Sequence, residues 1–131
     1  MIQILPYPIE EIPDKDHVFY RIHIENIRDN TIIPGAFRQR DDGMSVDWDK
    51  YGSPERLKNV AIEPEKNGIV KFSVKKIREN NLLSVDHDPL PDNRAHSLVK
   101  GIPNSGTLKE STRLYLKRNY EWVIKIKEEH K

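Results

Sequence analysis

The chain has 131 residues, 36% hydrophobic and 33% charged, with a formal net charge of +1. That length suits a single domain over residues 1–131 with a modest core and an excess of polar surface. Cysteine is absent, which excludes disulfides, thiolate nucleophiles and cysteine zinc sites. No run of about 18 apolar residues is present to span a membrane. The opening MIQILPYPIEEIP has no basic region and is broken by prolines, unlike a signal peptide. A cytoplasmic setting is expected. Charge is uneven along the chain: residues 1–65 carry 8 basic and 13 acidic side chains, and residues 66–131 carry 14 and 8. Either a basic face meets an acidic partner, or this is an ordinary solvated surface.

Pro6, Pro8 and Pro13 make residues 1–16 an extended lead-in, since proline lacks the amide donor a central strand needs. His17 to Ile24 alternates as a half-buried strand. Val18, Tyr20, Ile22 and Ile24 share one face, and His17, Phe19, Arg21 and His23 the other. ENIRDNTIIPG is expected to form a short helical turn. Asp42-Gly43 reads as a type I′ turn. The hairpin so formed would pair Asp41 with Met44, Arg38 with Asp47, and Phe37 with Trp48. Ser53-Pro54-Glu55 opens a short helix over about 54–59. Ile69 to Val74 is a strand, Lys75–Asn80 one helical turn, and Leu82 to Asp86 another strand. Thr107 and Glu110 make a capping box for a helix over about 108–118, with Leu108, Thr112, Tyr115 and Leu116 inward. Tyr120 to Ile126 alternates as a final strand, with continued helix the alternative. The fold class is α+β, a mostly antiparallel sheet with two or three short helices.

Candidate chemistry gathers in Ser84 to Gly101. His87, Asp88, Asn93, Arg94 and His96 sit around Pro89 and Pro91, on a loop stiff enough to mount a site or to be an ordinary turn. Arg21 and His23 are a second pair. Arginine forks onto phosphate or carboxylate, and histidine moves protons near neutral pH. Arg38, Ser45 and Asp47 share the polar face of the predicted hairpin, where Arg38–Asp47 reads first as a cross-strand ion pair. A calcium loop from Asp86 fails: Leu90 stands where an oxygen ligand belongs, Pro91 where glycine is required, and Ser97 at the twelfth position. No local spacing supports a metal site, and no cofactor motif occurs. Lys109, Arg113 and Lys117 form a basic stripe. It reads as a solvated helix face before a nucleic-acid contact.

The order FYRIH (19–23), PGAFR (34–38), SVDW (45–48), HDP (87–89) and NRAHSLVKG (93–101) resembles a set of small bacterial hypothetical proteins. These share a Tyr-Arg-x-His start, Ala-Phe followed by Ser-Val-Asp, and Asp-Pro followed by Ala-His. The resemblance spans about residues 18–101. It implies that Arg21, His23, Ser45, Asp47, Asp88 and His96 matter, and carries no activity with it.

The expectation is a polar cleft that binds or acts on a phosphate-bearing or nucleotide-like ligand by acid–base chemistry. His23, His96 and Asp47 would be the catalytic groups, and Arg21, Ser45, His87 and Asp88 the ligand-binding ones. His23 would lie within a water-bridged contact of His96. The competing expectation is a non-catalytic interaction module, one partner of a two-component bacterial system.

Overall fold

The computed structural model describes residues 7–40 and 42–127. Among the described residues eight strands and three α-helices form an α+β fold. The strands are β1 (His17–His23), β2 (Ile27–Arg28), β3 (Thr31–Ile32), β4 (Met44–Trp48), β5 (Asn67–Ser73), β6 (Ser84–His87), β7 (His96–Lys100) and β8 (Glu121–Ile124). The helices are α1 (Pro54–Asn59), α2 (Val74–Arg78) and α3 (Gly106–Asn119). Six strands make one antiparallel sheet in the order β6-β7-β4-β1-β5-β8.

The alternation read from the sequence separates the two faces of this sheet. Val18 and Ile22 of β1, Val46 and Trp48 of β4, Val70 and Phe72 of β5, Val85 and Val99 all turn into the core. Ile12, Ile77 and Leu116 close over them from the lead-in, α2 and α3. On the opposite face α1 packs across β1 and β5. Ser53 caps α1 by accepting from the Arg56 amide, as its sequence predicts. The final segment is a strand, with Tyr120, Trp122, Ile124 and Ile126 half-buried.

The hairpin expected at Asp42-Gly43 does not form. β4 pairs with β7 along Met44–Asp47 and with β1 at Asp47 and Trp48, the positions the predicted hairpin assigns to Phe37 and Arg38. Only Arg40 and Gly43 bridge, with amide–carbonyl contacts of 3.1 and 3.0 Å. Asp41, and its pairing with Met44, lies outside the described residues. Phe37 leaves its predicted register for the core. It stacks on Tyr20 at 5.9 Å and meets Phe72 edge-on at 5.8 Å, while the Tyr20 hydroxyl donates to the Ala36 carbonyl at 2.6 Å. The type I′ turn falls instead at Asp29 and Asn30, both at positive φ, joining β2 to β3, while the helical turn expected in this stretch is confined to one 3-10 turn at Ile24–Asn26. The capping box is also absent. Ser105, not Thr107, holds the N-cap position, and Leu108 is exposed.

The basic stripe of α3 is partly spent within the fold, because Arg113 donates through Nε to the Phe37 carbonyl at 3.0 Å. Arg78 is likewise committed, binding the Ile12 and Val85 carbonyls and the Asp14 carboxylate. Gly101 has a φ of +103°, and a Cβ there would run into the Leu82 carbonyl. Only glycine lets the chain leave β7 in that direction.

Candidate functional site

The polar face of the sheet assembles the site through register. Phe19 of β1 stands across from Asp47 of β4, and Asp47 across from His96 of β7. Ser45 and Arg21 lie two residues from this row, on the same face by the period of two. A cleft of about 450 Å³ opens there, lined by Arg21, Arg38, Arg40, Ser45, Asp47 and His96 among others. Arg38 and Arg40 reach it from the irregular segment before β4. Leu57 and Val60, at the end of α1, form an apolar wall. Four residues expected to converge therefore do so: Arg21, Ser45, Asp47 and His96.

His96 is the best-oriented group in the cleft. Its Nδ1 lies 2.9 Å from the Asp88 carbonyl oxygen and 3.1 Å from Asp88 Oδ2. A carbonyl oxygen only accepts, so in the neutral ring Nδ1 carries the hydrogen. Nε2 is then left as an acceptor, 3.2 Å from the Ser45 hydroxyl oxygen. Two residues that lie 51 apart in sequence are brought together because His96 pairs with Asp47, and Ser45 is its diagonal neighbour on the adjoining strand. The His96 side chain is 15% exposed, enough to face the cleft while its ring stays fixed.

Asp47 is nearly buried, at 3% exposure. Asn93 Nδ2 donates to its Oδ1 at 2.9 Å, whereas Oδ2 has no partner among the described residues. The predicted ion pair with Arg38 is absent because Arg38 donates instead through Nε to the Gly35 carbonyl at 3.1 Å. The turn after β4 presses close against Asp47. A Cβ on Gly52 would fall 2.9 Å from Ala95 Cβ and 3.2 Å from Asp47 Cβ. An unpartnered buried carboxylate oxygen is costly in a folded protein, and a ligand donor would satisfy it.

Three predicted site residues do not line the cleft: Asp88 backs His96 and borders a separate depression with His87, and the two histidines lie elsewhere. His87 pairs with Ser97, one residue along from His96, and so points to the opposite face of the sheet. There it is a core histidine, 4% exposed and edge-on to Trp48 at 5.0 Å. Its Nδ1 accepts from the Glu10 amide at 3.0 Å, which leaves Nε2 to donate to the Arg94 carbonyl at 2.7 Å. His23 stays on the cleft's face but too far along β1. It stands two strands and four residues from His96, about 16 Å by strand spacing, so the expected water-bridged pair is not formed. His23 accepts through Nδ1 from the Glu25 amide at 3.1 Å and lines a neighbouring depression with Arg21, Glu63 and Asn67. Arg21 divides these two hollows, with Nη1 donating to the Leu57 carbonyl at 3.0 Å.

Of a second polar cluster, on the core side, only Arg94 stands among the candidates read from the sequence. Glu10 binds Lys50 Nζ at 2.7 Å and accepts from the Tyr51 hydroxyl, and Arg94 lies over the Tyr51 ring at 4.0 Å. These contacts hold the Glu10 carboxyl below its ordinary value. They strap the lead-in across the sheet. Nothing local signals them, since Glu10 and Tyr51 lie 41 residues apart. Arg40 and Asn93 carry a fainter signal, each standing within a polar run that the sequence marks as candidate.

No group of three or more potential metal ligands occurs among the described residues. No helix among them is long and apolar enough to cross a membrane. No protein-family model, curated protein or solved structure matches the chain.

Proposed function

We propose that the cleft binds a phosphate-bearing, nucleotide-like ligand and that His96 serves it as general acid and base. The observation that carries this reading is the lining: Arg21, Arg38, Arg40 and the Nε2 edge of a fixed imidazole face one cavity. Guanidinium groups grip phosphate oxygens through paired donors. An imidazole held by Asp88 through Nδ1 presents Nε2 to the cleft as a proton acceptor. Two further features favour a nucleotide-like molecule over a bare anion. Leu57 and Val60 offer an apolar wall for a flat or aliphatic group. Asp47 Oδ2 offers a buried acceptor for a ligand hydroxyl or amine.

Chemical-shift mapping with inorganic phosphate and with AMP tests this. Both ligands should move the amide signals of Ser45, Asp47 and His96, and AMP should also move Leu57 and Val60. Shifts confined to other surfaces, or none at millimolar ligand, would overturn the proposal.

A further inference from the structure

We infer that Ser45 is a nucleophile. Together with His96 and Asp88 it forms a serine–histidine–aspartate relay that cleaves a phosphoester through a covalent phosphoseryl intermediate. This rests on the reading of the cleft as a phosphate site and names the chemistry performed there.

A serine hydroxyl is a weak nucleophile until a base lies within hydrogen-bond reach and is itself oriented by a third group. All three parts are present. Ser45 Oγ is 3.2 Å from His96 Nε2, and His96 Nδ1 is 3.1 Å from Asp88 Oδ2. The Asp88 carbonyl, at 2.9 Å from the same nitrogen, is a second acceptor that keeps the hydrogen on Nδ1 and the lone pair on Nε2. This is the tautomer a general base requires. Ser45 is exposed and sits on a central strand, so the nucleophile is accessible while its position is fixed by pairing with Leu98 of β7. The arginines of the same cleft supply positive charge where the oxygens of a transferring phosphoryl group gain negative charge.

The step balances within these groups. Ser45 Oγ attacks phosphorus, its proton passes to His96 Nε2, and the bond from phosphorus to the ester oxygen breaks. The departing alkoxide takes that proton and leaves as an alcohol. Water then attacks the phosphoseryl phosphorus and gives a proton to Nε2. Phosphate departs as the Oγ–P bond breaks, and Ser45 recovers the proton. No oxidant or metal is required by this balance.

The test uses an alkyl fluorophosphonate, a phosphorus electrophile that loses fluoride to an activated serine. The native protein should acquire one phosphonyl group, mapped to Ser45 by peptide mass spectrometry. Ser45→Ala should acquire none. His96→Gln should react about 100-fold more slowly, the usual contribution of a positioned base. Urea-unfolded protein serves as a second comparison, because it retains the serine but not the relay, and it should stay unlabelled. No labelling of the native chain, labelling at another residue, or equal rates in the native and unfolded chains would overturn the inference. Phosphate shift mapping on the same preparation separates the two readings. Shifts at Ser45 and His96 without labelling would end the nucleophile and leave the binding site, whereas loss of both would end both.

Discussion

Replacing Asn93 with alanine should destabilise the protein by about 3 kcal/mol, through two separable losses. Among the described residues Asn93 Nδ2 is the sole donor to the side chain of nearly buried Asp47, and a bond of this kind to a carboxylate contributes about 2 kcal/mol. Asn93 Oδ1 also accepts from the Ala95 amide at 3.1 Å, a bond worth about 1 kcal/mol. For a chain of this length each kcal/mol lowers the melting temperature by about 3.5 °C, so Asn93→Ala should melt about 10 °C below the parent. In an Asp47→Ala background the first loss no longer exists. There Asn93→Ala should cost only about 1 kcal/mol, giving a coupling of about 2 kcal/mol. Urea unfolding of the four proteins, with slopes checked for constancy, measures the cycle. Additive costs, with coupling under about 0.5 kcal/mol, would refute the claim that Asn93 holds Asp47 in the cleft wall.

His87→Leu should destabilise by about 2–3 kcal/mol, because the Glu10 amide and the Arg94 carbonyl both lose their partner. AMP affinity should not change in that variant. A weakened affinity with the cleft shifts intact would return His87 to the site. Lys50 and Tyr51 hold the Glu10 carboxyl below its ordinary value of 4.5. The stability this contributes is therefore fully present above that value and is lost as pH falls through the lower folded value. Melting curves of the parent and Glu10→Gln should differ by a constant gap from pH 7 to pH 5 and converge at more acid pH. A gap that persists at the acid end would contradict the strap.

Periodicity was legible and partnership was not. The alternation of HVFYRIHI correctly separates Val18 and Ile22 from Arg21 and His23, because each strand residue's face follows from local geometry alone. Ser45 and Asp47 stand apart from Val46 for the same reason. The hairpin at Asp42-Gly43 fails because turn chemistry proposes a partner, while the sheet awards β4 to β1 and β7. Ile24 also leaves its predicted core face, since β1 ends at His23 and a short helical turn begins. The two histidines of the 84–101 stretch look equivalent in sequence. Register across β6 and β7 puts His87 in the core and His96 in the cleft, a distinction set by strand pairing that no local motif encodes. The Glu10 strap joins residues 77 positions from His87 and is invisible for the same reason.

The central claim is that the arginine-lined cleft recognises phosphate. Calorimetric titration of AMP into the parent chain and into Arg21→Gln/Arg40→Gln tests it most directly. Removing two guanidinium groups should weaken binding by about 100-fold, roughly tenfold for each charged contact. Equal affinity in the two proteins, with heats that show AMP bound to both, would contradict the account.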